Sequence, residues 1–206
     1  MRPTTALMGA SAAVLLATGG ELLAGGPLKR FDARIAIHYA KNLAQHDYKL
    51  EGGSLVTAHL LYVIGQPWIA CVVVGGLALL LSVRTRRWGP ALAAVVGLGV
   101  AGLGTWALKA TFPQPGIHPG RTGSFPSGHT CVAVVSAGLV IGLLATTARH
   151  RDLIALVGGG VWGAIMAWGR VAMLAHWLSD VIAGWCLGMI ALVLALRLVC
   201  RETRSP

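Results

Sequence analysis

Charged residues are scarce in this chain of 206 residues, of which 12% are charged and 55% are hydrophobic. A soluble domain carries roughly 25% charged residues, so the composition excludes an ordinary soluble fold and indicates a protein built for lipid. Acidic residues are the rarest of these, with 7 Asp and Glu against 17 Lys and Arg. The length fits one helical bundle, and we expect residues 1–206 to form a single transmembrane domain.

The formal charge of +10 does not indicate a nucleic-acid-binding protein. Many arginines instead lie in short gaps between apolar runs or in the C-terminal tail: Arg84, Arg86, Arg87, Arg149, Arg151, Arg201 and Arg204. This distribution is typical of residues that orient a membrane protein, whereas nucleic-acid binding requires a basic face or groove. We expect the lipid bilayer to be a partner and nucleic acid not to be one.

Cysteines that could form a disulfide framework or a zinc site are also lacking. The four cysteines lie in or at the ends of apolar runs, with no CxxC spacing, and we interpret them as small packing residues. The first apolar run has no sharp small-residue cleavage site, so we expect a retained first span rather than a signal peptide.

Long apolar runs are plentiful, and they predict six transmembrane helices. A span needs about 20 apolar residues. Candidate spans cover roughly residues 6–23, 55–83, 91–109 and 129–148, and two more come from 153–199. The last stretch must fold in two because a single helix would be about 70 Å long, against a hydrocarbon core of roughly 30 Å. We place the turn within residues 169–180, where polar residues gather.

Between the first two spans, residues 28–54 alternate apolar and charged positions. Phe31, Ile35, Tyr39 and Leu43 fall four apart, which predicts an amphipathic helix along the bilayer surface. The predicted fold is therefore all-α, with six transmembrane helices and this surface helix. The positive-inside rule places both termini in the cytoplasm, and hence the 110–128 loop and the last turn on the outer side of a bacterial inner membrane.

One polar cluster in this outer region contains Arg170, His176 and Asp180. Ionisable residues inside membrane spans are costly and usually mark function. His176 and Asp180 are four apart, so a helix that begins near the turn places them in contact. An aspartate beside a histidine fixes its tautomer and raises its basicity, which prepares the imidazole for nucleophilic or acid–base catalysis. Alternatively, Asp180 only satisfies a core histidine.

A second cluster is FPSGHT, residues 125–130, directly before a long apolar run. The first N–H groups of a helix are unpaired and its macrodipole is positive there, so this position favours an anion such as phosphate. Ser127 can cap the helix or donate its hydroxyl, and Gly128 allows close approach. His129 can protonate a leaving oxygen. Taken alone, the segment also fits an ordinary helix start.

Further polar groups lie on the same predicted side. Lys109 ends the third span and Arg121 lies in the loop that follows. Together with Arg170, these residues bring cations from three elements to the helix start where an anion is expected. His118, in the same loop, is a candidate contact for a lipid headgroup.

These residues resemble the type-2 phosphatidic-acid phosphatase superfamily of membrane lipid phosphatases and related haloperoxidases. The second motif of that family, PSGH, matches residues 126–129 completely. The third, SR followed by H and then D, matches Arg170, His176 and Asp180, with Gly169 in place of the usual serine. The resemblance covers roughly residues 105–185.

The first family motif matches only in part. It is a lysine followed after six residues by RP, and Lys109 is present while Gly116 and Ile117 replace the arginine and proline. We hypothesise that Arg121 supplies the missing guanidinium.

The resemblance implies a phosphatase that forms a phosphohistidine. His176 would attack phosphorus while Asp180 holds its ring, and His129 would protonate the leaving oxygen and then activate water. The phosphate oxygens would be bound by Lys109, Arg121, Ser127, Gly128 and Arg170. Because protein cations take the part of a metal, and no aspartate cluster suits Mg²⁺, we expect no metal and no other cofactor.

The implied substrate is a phosphate or diphosphate monoester of a membrane lipid, such as an isoprenyl diphosphate, phosphatidylglycerol phosphate or phosphatidic acid. A phosphotransferase that passes the phosphoryl group to a lipid sugar would use the same intermediate. A protein that binds lipid phosphate without catalysis would need the cations but not an oriented nucleophile. These alternatives stay open at the level of sequence.

Overall fold

The computed structural model describes residues 3–45, 53–118, 120, 122–145 and 150–202, and all regular elements in these ranges are α-helices. The helices are α1 (Pro3–Ala24), α2 (Pro27–Gln45), α3 (Gly53–Ile64), α4 (Pro67–Thr85), α5 (Gly89–Thr111), α6 (Gly128–Leu144), α7 (Arg151–Ala172) and α8 (Leu178–Glu202). The all-α prediction is confirmed.

Five of these helices are long and apolar enough to cross a membrane, namely α1, α4, α5, α7 and α8. Helix α6 is equally apolar but has 17 residues. At 1.5 Å per residue it extends for about 26 Å, close to the thickness of the hydrocarbon core. The count of six spans, with α6 as the sixth, remains a prediction.

The second span does not form the continuous helix that we predicted for residues 55–83. Gly65 and Gln66 separate α3 from α4. The cause is Pro67, which has no N–H to donate and disfavours helical geometry at the residue before it. Gln66 accordingly is extended, with φ −60° and ψ 129°, and Pro67 begins the new helix. The break separates a short helix, α3, from the spanning helix α4.

The turn predicted within residues 169–180 is confirmed, since α7 ends at Ala172 and α8 begins at Leu178. The N–H groups of Ala175 and His176 both donate to the carbonyl of Arg170, over 2.9 and 3.3 Å. These bonds close the end of α7 and fold the chain back on itself. His176 is therefore brought next to Arg170, which an unbroken helix would have kept apart.

Helices α6 and α8 approach closely near this end of the bundle because α8 carries glycines where they meet. A Cβ atom at Gly188 would lie 2.8 Å from the carbonyl oxygen of Cys131, and one at Gly184 would overlap the carbonyl oxygen of Ser127. Any side chain at Gly184 would force the two backbones apart. This close packing sets the position of the first turn of α6 against α8.

Candidate active site

Three helices and one turn bring polar groups to one cavity of about 360 Å³ at one end of the bundle. Lys109 comes from the end of α5, His129 from the start of α6, Arg170 from the end of α7, and His176 from the turn before α8. The cavity is also lined by Pro67, Gly116, Thr122, Gly123, Ser124, Gly128 and Ala175. The two polar clusters predicted from the sequence therefore meet in one site.

His176 and Asp180 form a hydrogen-bonded pair. The distance between His176 Nδ1 and Asp180 Oδ2 is 3.1 Å, and the N–H of Trp177 donates to the same oxygen over 3.1 Å. His176 is 9% exposed and Asp180 is fully buried. A proton on Nδ1 that is donated to the carboxylate leaves the lone pair on Nε2, which is the tautomer a nucleophile or base requires.

Burial also influences the charge of His176, which lies in the turn between α7 and α8. Burial lowers the pKa of its imidazole, while the hydrogen bond to Asp180 and the charge of Asp180 oppose that change. The net direction is downward, so the neutral imidazole is favoured. A neutral ring is the form that can attack phosphorus.

Ser127 caps α6, as predicted for the PSGH segment. Its hydroxyl oxygen accepts from the N–H of Thr130 over 3.5 Å and from the Thr130 hydroxyl over 3.1 Å. Ser127 is itself fully buried and is not among the lining residues, whereas Gly128 and His129 are. The N-terminus of α6 thus opens on the cavity, and a direct phosphate contact by Ser127 stays a prediction.

Lys109 anchors the loop between α5 and α6. Its ammonium donates to the carbonyl of Gly123 and, over 3.2 Å, to that of Ser124. The loop is also tied to the α7–α8 turn, because the indole N–H of Trp177 donates to the carbonyl of Pro115 over 2.8 Å. An ammonium has three donors, so Lys109 can hold the loop and still offer one donor to a ligand.

His129 has a nitrogen ready for a ligand. Its Nε2 is buried and has no hydrogen-bond partner within the part of the chain that the structure describes. A buried polar atom without a partner is costly, and a substrate oxygen or a water in the cavity would remove that cost. This is the property expected of an acid–base group that contacts its substrate.

Of two further predicted residues, one is not described by the structure and the other does not line the cavity. Arg121 lies outside the described residues, so its role as the missing guanidinium stays a hypothesis. His118 is exposed in the α5–α6 loop and does not line the cavity. Its contact with a headgroup likewise remains a prediction.

Sequence reasoning missed Tyr62 of α3, which lies beside two of the predicted groups. The guanidinium carbon of Arg170 is 5.0 Å from the centre of the Tyr62 ring, and the ring of His129 is 5.7 Å away. Arg170 is only 7% exposed. Pro67 indicates in the sequence that α3 must end nearby, but no local pattern indicates the contacts of Tyr62.

Sequence reasoning also missed Asp32, which we had placed on a surface helix. Asp32 is 3% exposed and accepts from the N–H of Ser179 over 3.0 Å and from its hydroxyl over 2.5 Å. The N–H groups in the first turn of a helix have no partner within the helix, so Asp32 satisfies one of them. It ties α2 to α8 directly beside Asp180. That α2 is helical is confirmed, and that it lies along the bilayer surface remains a prediction.

The sequence profile of the PAP2 superfamily matches residues 90–204, more than half of the chain. The protein therefore belongs to the PAP2 superfamily, which confirms the resemblance noted in the motifs. No curated protein matches the sequence.

The fold is similar to the crystal structure of a transmembrane PAP2-type phosphatidylglycerolphosphate phosphatase from Bacillus subtilis. The TM-score is 0.68, the identity is 17%, and the match covers 100% of this chain and 98% of that one. At this identity the similarity establishes the fold. Together with the apolar helices, it identifies an integral membrane protein of the PAP2 class.

Proposed function

We propose that this protein is a metal-independent lipid phosphatase that hydrolyses a phosphate or diphosphate monoester through a phosphohistidine. One observation carries the proposal: the His176–Asp180 pair opens on a cavity that His129, Lys109 and Arg170 also line. Binding a phosphate requires cations alone. A buried carboxylate that orients an imidazole has no purpose in binding, but it is what a nucleophile needs.

In the first step, Nε2 of His176 attacks phosphorus and a P–N bond forms. The bond between phosphorus and the leaving oxygen breaks, and His129 donates a proton to that oxygen. Asp180 stabilises the positive charge that develops on the imidazole of His176. The product that leaves is the lipid alcohol, or the lipid monophosphate when the substrate is a diphosphate.

In the second step, water replaces the leaving group. His129, now neutral, takes a proton from the water as its oxygen attacks phosphorus. The P–N bond breaks, inorganic phosphate is released, and both histidines return to their starting states. His129 thus acts first as an acid and then as a base, while His176 acts first as the nucleophile and then as the leaving group.

The phosphate oxygens are stabilised by groups whose positions are fixed by the fold. The guanidinium of Arg170 and the ammonium of Lys109 supply positive charge. The first N–H groups of α6 supply hydrogen bonds at the positive end of the helix dipole. Ser127 and Arg121 would also bind the phosphate oxygens. Catalysis of phosphoryl transfer depends mainly on such positioning and charge stabilisation, which grow in importance as charge spreads over the equatorial oxygens.

The substrate is a membrane lipid, with phosphatidylglycerol phosphate, phosphatidic acid and isoprenyl diphosphate as candidates. The cavity lies at one end of a bundle of apolar helices, where a headgroup can enter while its chains remain in the bilayer. With six spans and cytoplasmic termini, this end faces the outer side of the bacterial inner membrane. Helix α2 would lie on that surface.

The proposal is tested by phosphate release from a panel of these three lipids, using detergent-purified protein with EDTA present. We expect wild-type protein to release phosphate and His176→Ala to lose at least about a thousandfold in rate. His150→Ala is a matched control, since His150 is exposed and precedes α7, about 30 Å along the helix from Arg170.

Activity that survives His176→Ala would overturn the proposed mechanism, and activity that EDTA abolishes would overturn metal independence. A wild-type protein that binds these lipids but releases no phosphate would favour the non-catalytic alternative. A labelled phosphoryl group recovered on a lipid sugar rather than in inorganic phosphate would favour the phosphotransferase.

A further inference from the structure

Tyr62 places its aromatic ring next to two of the groups that carry the proposed reaction. The ring centre is 5.0 Å from the guanidinium carbon of Arg170 and 5.7 Å from the centre of the His129 ring, and the two rings are tilted by 34°. We propose that Tyr62 is a positioning residue that holds both side chains in place at the phosphate cavity. This inference rests on the proposed phosphatase function.

The backbone of α3 is fixed by an apolar layer directly beneath these polar contacts. Leu61 is buried in one cluster with Ala133 of α6 and Met166 of α7. His129 and Arg170 lie four residues from Ala133 and Met166, respectively, which is about one helical turn toward the cavity. Leu61 and Tyr62 point about 100° apart on α3, so Leu61 packs in the apolar cluster while Tyr62 contacts Arg170 and His129.

Helix α3 ends at Ile64, two residues after Tyr62. Gly65 follows α3, and a Cβ there would lie 2.8 Å from the carbonyl oxygen of Leu61 and would overlap the end of the Met166 side chain. Pro67 then begins α4 and itself lines the cavity. The segment that delivers Tyr62 is thus packed tightly against α7 and turns away at the cavity wall.

Contact with an aromatic ring can hold the guanidinium of Arg170 and the imidazole of His129 in place without a hydrogen bond. A guanidinium over an aromatic face is attracted by the ring, while its N–H donors lie in its own plane and are not used by that contact. The rings of Tyr62 and His129 meet at a tilt of 34°, and this ring contact does not use Nε2 of His129, which has no hydrogen-bond partner among the described residues. A hydrogen-bonding partner at position 62 would instead compete with the substrate for these donors and acceptors.

The test compares Tyr62→Phe, which keeps the ring, with Tyr62→Leu, which removes it and keeps an apolar side chain. Tyr39→Leu is the matched control, because Tyr39 is also half-buried and also contacts a histidine ring, that of His38, at 5.4 Å. Two readouts are needed. One is kcat and KM for a lipid that the wild type hydrolyses. The other is the shift in melting temperature caused by orthovanadate, which mimics the phosphoryl group in the transition state.

We expect Tyr62→Leu to lower kcat by roughly tenfold and to weaken vanadate binding by a similar factor, with Tyr62→Phe and Tyr39→Leu close to wild type. A Tyr62→Leu protein with wild-type kcat and vanadate response overturns the inference. So does a Tyr62→Phe protein as impaired as Tyr62→Leu, since the hydroxyl rather than the ring would then matter.

The vanadate readout separates this inference from the proposed function. If the wild type binds vanadate but hydrolyses none of the lipids, the phosphatase proposal fails while the role of Tyr62 in anion binding is still measured. If His176→Ala is inactive but Tyr62→Leu is not, only the inference about Tyr62 fails. A lower melting temperature of Tyr62→Leu without vanadate, with kcat and the vanadate shift unchanged, would show a merely structural role.

Discussion

The backbone N–H of Ser127 donates a hydrogen bond to the backbone carbonyl of Asp180 over 2.8 Å. The bond joins the segment that begins α6 to the residue that orients His176. The helix start that we propose to bind phosphate and the proposed nucleophile are therefore joined through the backbone, and are not merely neighbours across a cavity.

A side chain at position 184 should disrupt this assembly. In Gly184→Ala the added Cβ would overlap the carbonyl oxygen of Ser127, so α6 and α8 must separate. We expect a loss of about 1–3 kcal/mol in unfolding free energy and a fall in kcat, neither of which the control substitution should show. Gly102→Ala is the control substitution, since a Cβ at Gly102 meets nothing within 4 Å. Wild-type kcat in Gly184→Ala would contradict the coupling.

Asp180→Asn should remove catalysis while keeping the shape of the site. An asparagine that donates to Nδ1 of His176 stabilises the tautomer with its proton on Nε2, which cannot attack phosphorus. It also cannot stabilise the imidazole as charge develops. We expect kcat to fall at least about a hundredfold with little change in KM, measured by steady-state phosphate release. A rise in KM with kcat unchanged would assign Asp180 to binding instead.

The acid side of the pH profile should reflect the lowered pKa of His176. An ordinary histidine has a pKa of about 6.5, and burial holds that of His176 below this value. The imidazole then stays neutral and nucleophilic as the pH falls through 6.5, so kcat/KM should decline only at lower pH. An acid limb at or above pH 6.5 that His176 is shown to cause would contradict this prediction.

The same shift predicts the effect of pH on stability. Because the unfolded chain binds the proton more readily than the folded site does, stability is present in full above the ordinary value of about 6.5 and is lost as the pH falls below it. His176→Gln should flatten this loss, which thermal unfolding in detergent at several pH values would measure.

Asp32→Ala should weaken the start of α8. It removes both hydrogen bonds to Ser179, and the loss of a helix cap costs about 0.5–2 kcal/mol. Since Asp180 is the next residue, we also expect kcat to fall. Ser179→Ala and the double variant complete a cycle that isolates the hydrogen bond between the two side chains, and full additivity of the two changes would contradict that bond.

Sequence patterns were sufficient to predict features that depend on residues close together in the chain. The turn before His176 followed from helix length against bilayer thickness, and the His176–Asp180 contact followed from a spacing of four. Pro67 also indicates the break in residues 55–83, but the apolar run continues on both sides of it and led to the prediction of one continuous helix.

Contacts between distant segments could not be predicted in this way. Asp32 and Ser179 are 147 residues apart, and an aspartate in an amphipathic pattern is expected to face water. Its burial is set by the packing of α2 against α8. Tyr62 likewise has no feature in its own helix that indicates Arg170 or His129, because both contacts come from the way α3 rests on α6 and α7.

If His176 carries the phosphoryl group during turnover, rapid-quench labelling should find the label on that residue. Wild-type protein is mixed with a ³²P-labelled lipid phosphate that it hydrolyses, quenched under alkaline denaturing conditions and digested. We expect an acid-labile, base-stable label on the peptide that contains His176. The label should be absent in His176→Ala and should accumulate in His129→Ala if the second step is slowed. Turnover with label on another residue, or with no protein-bound label in any variant, would contradict that role of His176.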